Sequence, residues 1–227
     1  ILNNASFIIQ WLILYSLKDN VGGYTFKEVM LLWGIAAGTY GFAHFFLAGS
    51  FSLSNMITNG KLDTYLVQPK NPLISICTSN VSVSALGDLI YGYIMLFVYG
   101  FSIKGFILFT LFCITGGLVI AAFSVILSSL SFWITKSDLI VDTGNSMMIN
   151  FASYPDGIFK GLVKMLFYTI IPIGVSTYIP IKVIVDFNIY LFLIIMLSTM
   201  LIIALAFIIF NKGLRRYSSS NLMIARI

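Results

Sequence analysis

Gly60-Lys61-Leu62-Asp63-Thr64-Tyr65-Leu66-Val67-Gln68-Pro69-Lys70-Asn71-Pro72 is one of the few polar segments in a very apolar chain. It carries charge, turn residues and two prolines within thirteen positions, and it separates two long hydrophobic runs. Its reading decides the fold. If the flanking runs cross a membrane, this stretch is the exposed piece that another protein can touch.

The composition points to a membrane. Of 227 residues, 59% are apolar and only 9% charged, with a mean hydropathy of +0.99. A water-soluble domain carries about 25% charged residues, so lipid is the main solvent here. Runs of about 20 apolar residues mark spanning helices, and several are present. A barrel would show alternation over segments of roughly 10 residues, which is missing. The expected fold is therefore all-α and polytopic, a single transmembrane domain over 1–227 with six spans at about 1–17, 27–53, 74–101, 106–134, 162–179 and 187–210. The exposed segment covers 55–72 and a basic tail covers 211–227. Thr135 to Asn145 reads as a polar loop. Residues 147–161, interrupted by Tyr154-Pro155-Asp156-Gly157, read as an interfacial segment leading into the fifth span. The chain opens on Ile1 inside an apolar run, so the natural N-terminus is expected further upstream.

Six spans place both ends on one side. That side collects Lys61, Lys70, Lys136, Lys160, Lys164, Lys212, Arg215, Arg216 and Arg226, nine against the four of Lys18, Lys27, Lys104 and Lys182. The positive-inside bias then puts both termini, the 55–72 segment and the Thr135 loop in the cytoplasm of a plasma membrane. The net charge of +5 thus reports topology and does not imply nucleic acid. Cys77 and Cys113 lie in apolar surroundings without Cys-X-X-Cys spacing, which speaks against a disulfide or a metal. No Gly-Lys-Ser/Thr occurs, so nothing resembles a phosphate-binding loop. No cofactor is expected on this chain. If ATP drives it, ATP and Mg bind a separate ATPase.

Within the opening stretch, helical projection puts Leu62, Tyr65 and Leu66 on one face and Lys61, Thr64 and Gln68 on another, flanked by Asp63. Asn59-Gly60 can end the preceding helix through a left-handed cap. Pro69 closes the short helix, since it cannot continue the backbone bonding. Two readings stand: a solvated connector, or a surface helix that offers one face to a partner.

The order of Gly60, Leu62, Asp63, Leu66 and Pro69, followed by Ser84-Ala85-Leu86-Gly87-Asp88-Leu89-Ile90, resembles the permease subunits of type-2 ATP-binding-cassette (ABC) exporters. The similarity is to the bacterial branch with a Gly-x-Leu-Asp-x-x-Leu-x-x-Pro signature after the second span. Ser131-Phe132-Trp133, Tyr154-Pro155, Ile171-Pro172 through Tyr178-Ile179-Pro180, and Arg216-Tyr217-Ser218-Ser219 are further similar pieces. The resemblance runs from about the second span to the end. One departure is the amphipathic helix expected before the first span, which this sequence does not show. The resemblance implies that Gly60, Lys61, Leu62, Asp63, Tyr65, Leu66, Gln68 and Pro69 form a coupling helix that docks on a cytoplasmic ATPase present in two copies. It implies a second permease chain, identical or paralogous. Tyr65 and Asp63 are expected to touch the ATPase, while Leu62, Tyr65 and Leu66 can pack either on it or back on the permease.

Two ionisable residues, His44 and Asp88, fall inside expected spans, roughly 16 and 18 Å from the cytoplasmic ends at 1.5 Å per residue. A carboxylate at that depth must face protein or water. Either the two face each other across their helices, or each bonds separately within the bundle. Gly34, Gly38 and Gly41 have the spacing of close helix packing, and Gly116-Gly117 allows a bend or close contact.

The expected function is the membrane half of an ATP-driven exporter, moving a hydrophobic or amphipathic small molecule, peptide or lipid-like substrate outward. An intramembrane protease would need a second catalytic group beside the only histidine, His44, and metal catalysis needs clustered ligands. The alternative is a stand-alone secondary transporter or channel, which often carries broken helices and buried ion-binding groups. Its hints are Asp88 and Pro172.

Overall fold

The computed structural model describes residues 2–134 and 137–217, with side chains from Ile8 onward. Eleven helices follow one another among these residues: α1 Leu2–Leu17, α2 Phe26–Phe46, α3 Leu53–Thr58, α4 Asp63–Leu66, α5 Pro72–Cys77, α6 Ala85–Tyr99, α7 Ile103–Ser129, α8 Asp138–Ala152, α9 Gly161–Thr169, α10 Ile179–Val185 and α11 Ile189–Leu214. Ile1, Thr135, Lys136 and the tail from Ser218 through Ile227 lie outside the described residues.

Three of these elements are long and apolar enough to cross a membrane: Phe26–Phe46, Ile103–Phe132 and Ile189–Leu214. The first two are mostly buried inside the protein, whereas the third has only 17% of its apolar window buried and lies on the outside of the bundle. α1 and α6 are shorter apolar helices. α2 is fixed at its start by a capping box in which Thr25 and Glu28 satisfy each other's backbone N–H groups.

The centre is α2, held between α6 and α7 by residues without bulk. Gly34 and Gly41 face α6, where a Cβ on Gly41 would lie 2.7 Å from the Leu89 nitrogen. Gly38 faces α7, where a Cβ would lie 2.4 Å from Cys113 Sγ. Gly116 of α7 returns the contact against Thr39. Backbones that approach this closely gain dispersion contacts that lipid cannot replace.

Two expected spans are broken. The second, expected over 27–53, ends as an α-helix at Phe46, and a 3-10 turn over Ala48–Ser52 leads into α3. The third, expected over 74–101, is interrupted between Cys77 and Ala85. Thr78 and Ser79 spend their hydroxyls on the carbonyls of Ile74 and Ile76, and the Ser82 N–H donates to the His44 carbonyl. Such local bonding offers the backbone an alternative to the helix.

The fifth span also differs from expectation. Residues 138–152, expected as polar loop and interfacial segment, form α8, 15 residues long or about 22 Å at 1.5 Å per residue. One end meets Ser54 and the other leads to Asp156, which bonds Tyr24 at the start of α2, so α8 runs the length of the bundle antiparallel to α2. Residues 162–179, expected as a fifth span kinked at Pro172 with a short re-entrant turn toward Pro180, are α9 and the start of a second arm (Gly174–Val185) bent from it by 78°. Lys164 on α9 and Lys182 on α10 both reach Asp156, so this bent pair enters and leaves at the same end. Its turn, Gly174–Tyr178, goes deep enough for the Ser176 carbonyl to meet Gly116 within α7.

That geometry corrects the charge count. Lys160 and Lys164 move to the end that carries Lys182, and among the described residues the Lys and Arg balance becomes five against six. Orientation therefore no longer rests on counting charges.

Candidate coupling surface and the polar sites of the bundle

At the end opposite Asp156, α3, α4 and α5 form an elbow under α7 and α11. Its floor is a separate apolar cluster of Leu53, Ile57, Leu62, Leu73 and Ile76, packed on Ala122, Val125, Ala206 and Phe210. The elbow begins at Gly49, where a Cβ would sit 1.8 Å from the Ile76 carbonyl oxygen. Only a residue without a side chain fits there.

Gly60 makes the next turn, with φ of +69°. The Lys61 N–H donates to the Met56 carbonyl and the Gly60 N–H to that of Ile57, the paired bonds of a Schellman cap. One helical turn follows, Asp63–Leu66, with Thr64 Oγ1 donating to the Lys61 carbonyl and Gln68 Nε2 to that of Thr64. Pro69 ends it. Asn71 then caps α5 by accepting from the Ile74 N–H, with Pro72 at the first helical position.

The residues named from the sequence separate into two sets here. Leu62 is fully buried and points back into the bundle. Tyr65 is half-buried against the same cluster, and Asp63 is half-buried too. Lys61, Thr64, Leu66, Gln68 and Pro69 are exposed. Leu62, Tyr65 and Leu66 therefore do not act as one face. The outward apolar residue is Val67, 85% exposed and missed in the sequence reading.

The tail supports the elbow. The Tyr217 ring stands edge-on to Phe132, with centroids 6.2 Å apart. Its hydroxyl faces Asp63, short of a well-formed hydrogen bond. Burial first, then the Asp63 carboxylate, pushes the Tyr217 phenol up to about 12.

A serine chain joins the elbow to α8. Ser54 Oγ donates to Asp138 Oδ1 over 2.5 Å, and Ser54 and Ser131 hydroxyls are 2.8 Å apart. Ser131 and Ser137 hydroxyls are 2.5 Å apart. With the Ser54 proton committed to the carboxylate, Ser131 donates to Ser54, and Ser137 to Ser131. Such a one-way chain ending on a charge polarises and strengthens each link.

His44 and Asp88 are less deep along their helices than expected. His44 lies in the last turn of α2 and Asp88 in the first turn of α6. The imidazole stacks on Phe51 at 3.8 Å and meets Tyr40 at 4.1 Å, and its Nε2 has no hydrogen-bond partner. The Asp88 charge acts on Tyr40, and a carboxylate in the first turn is favoured by the positive helix end. Tyr40 thus packs on the His44 ring and shares a cavity wall with Asp88.

At the far end, Asp156 is 4% exposed and gathers four donors. Oδ1 accepts from Tyr24 at 2.9 Å, while Oδ2 accepts from Tyr168 at 2.7 Å and meets Lys164 and Lys182 at 3.1 and 3.2 Å. Burial alone raises its pKa, but the Tyr168 bond, the Lys182 charge and the remaining donors outweigh this and hold it below the usual carboxylate range. No group of three or more His, Cys, Asp or Glu able to hold a metal occurs among the described residues.

The bundle thus carries three helices long and apolar enough to cross a membrane, with an exposed elbow at one end. A family model described as ABC-2 family transporter protein matches residues 1–221. The chain belongs to that family and is the membrane permease of an ABC transporter, a class that works with an ATPase partner. No curated protein and no solved structure matches the chain.

Proposed function

We propose that the chain is the permease of an ATP-driven exporter, moving a hydrophobic or amphipathic small molecule, peptide or lipid-like compound outward. The observation that carries this reading is the elbow. Val67 and Leu66 stand out from a single turn rimmed by Lys61, Thr64 and Gln68, while Leu62 roots that turn in the bundle. A rooted turn with an apolar tip suits the transmission of a push from a cytoplasmic ATPase, which binds the ATP and Mg.

On this reading α1, α2, α6, α7, α8 and α11 are the six crossings. Both termini and the elbow are cytoplasmic, and the bent α9–α10 pair returns to the outer side. The basic cluster Lys212, Arg215 and Arg216 at the end of α11 agrees with that orientation. Two ATPase copies and a second permease, identical or paralogous, complete the transporter in a bacterial plasma membrane.

Affinity purification of the chain from its native membrane tests the reading. Co-elution of an ATPase, with vesicle transport that requires ATP, is the expected result. A second reading, a stand-alone transporter or channel, draws on the 78° break between α9 and its partner arm, since discontinuous helices line sites in such proteins. Substrate flux by the purified chain alone, without ATP, would favour it.

A further inference from the structure

Between α2, α6 and α8 lies a cavity of about 260 Å³. Three aromatic side chains line it: Trp33 and Tyr40 from α2 and Tyr91 from α6. Asp88 is the only carboxylate along it, and no lysine or arginine is among the lining residues. Met148 contributes from α8. Tyr91 is 6% exposed, and its buried hydroxyl has no hydrogen-bond partner.

These features select one chemistry. A carboxylate in an apolar wall repels anions and gains from a positive ligand. Aromatic faces carry negative charge density and attract cations, most strongly where water is scarce. The same rings offer an apolar body a place to lie. The volume is just under the roughly 300 Å³ at which drug-sized sites begin, so the ligand is compact.

We infer that this cavity binds a compact organic cation, an amphipathic amine or quaternary ammonium, with its charge beside Asp88 and its body against Trp33, Tyr40 and Tyr91. As a substrate site the inference rests on the exporter reading; as a binding site it does not.

Equilibrium binding tests it, with the full chain in lipid nanodiscs together with any ATPase that co-purifies. The probe is radiolabelled benzyltrimethylammonium, and the competitor is neopentylbenzene, its uncharged isostere. Saturable binding is expected, with the isostere at least about tenfold weaker as a competitor than unlabelled probe. Asp88→Asn is expected to weaken binding by about tenfold or more, Asp88→Glu by only a few-fold, and Tyr40→Leu or Tyr91→Leu by about three- to tenfold. No saturable binding up to about 1 mM, equal competition by the isostere, or unchanged affinity in a folded Asp88→Asn chain would each overturn the inference. If Asp88→Asn does not fold, the isostere comparison on the unaltered chain and the two tyrosine variants decide. ATP-dependent export without cation binding overturns this inference alone. Cation binding without an associated ATPase upholds it and overturns the exporter reading.

Discussion

Ser54 Oγ donates to Asp138 Oδ1 over 2.5 Å, joining α3 to the first turn of α8 across 84 positions of sequence. The elbow and the start of α8 are therefore one body. Ser54→Ala and Asp138→Asn are expected to lower ATP-driven transport by about tenfold while ATP hydrolysis stays within about twofold, with a stability loss of about 1–3 kcal/mol. Parallel assays of hydrolysis and flux on the assembled transporter check this. Equal losses in both would mean that the serine chain carries no motion.

Val67 and Leu62 are two residues of the same turn with opposite duties. Val67→Asp is expected to leave the melting temperature of the purified chain within about 2 °C, because surface changes cost little, while abolishing ATPase co-purification. Leu62→Ala removes a fully buried side chain and is expected to destabilise by about 2–5 kcal/mol. Pull-down yield and detergent melting curves separate the two effects.

Gly49 tolerates no side chain. A Cβ there would lie 1.8 Å from the Ile76 carbonyl, so even Gly49→Ala forces α5 away from the 3-10 turn. A loss of about 1–3 kcal/mol is expected, with the elbow becoming more sensitive to limited proteolysis than α7.

Asp156 holds both Lys164 and Lys182, yet the two lysines are unequal to it in effect. Each is nearly half exposed, so Lys164→Ala alone is expected to cost under about 1 kcal/mol. Asp156→Ala leaves two tyrosine hydroxyls without their acceptor while the half-exposed ammonium groups turn to water, and a loss of about 1–3 kcal/mol is expected. Because the folded Asp156 pKa is depressed, its contribution is fully present above the ordinary carboxylate value near 4. It is lost as pH falls below that value and through the depressed one. A melting series over that acidic window should show a drop in the unaltered chain that Asp156→Asn lacks.

The long elements were legible where lipid alone sets the pattern. The windows of α7 and α11, with mean hydropathies of 2.5 and 3.0, are close to the spans expected at 106–134 and 187–210. The Gly60 cap was also legible, because it is local backbone chemistry. α8 was not. Asp138 and Asn145 make its sequence look like a loop, and their partners, Ser54 and Ser124, lie far away in the chain. The depths assigned to His44 and Asp88 failed for a related reason. They assumed unbroken helices, whereas the Gly49 contact and the Thr78–Ser84 bonding break both. Val67 escaped notice because a two-turn projection weighs apolar neighbours together and cannot say which of them a distant core will claim.

The carboxylate of Asp156 also imposes an order on biosynthesis. Tyr24 must wait 132 residues for its acceptor, and the acceptor in turn waits for Tyr168 and Lys182 to emerge from the ribosome. Until the bent pair is made, Asp156 holds the first loop to the end of α8 through Tyr24 alone among its four donors. Closure of this end is therefore among the last events of membrane insertion, and chains truncated before Lys182 should present an unfinished surface to the quality-control proteases of the membrane.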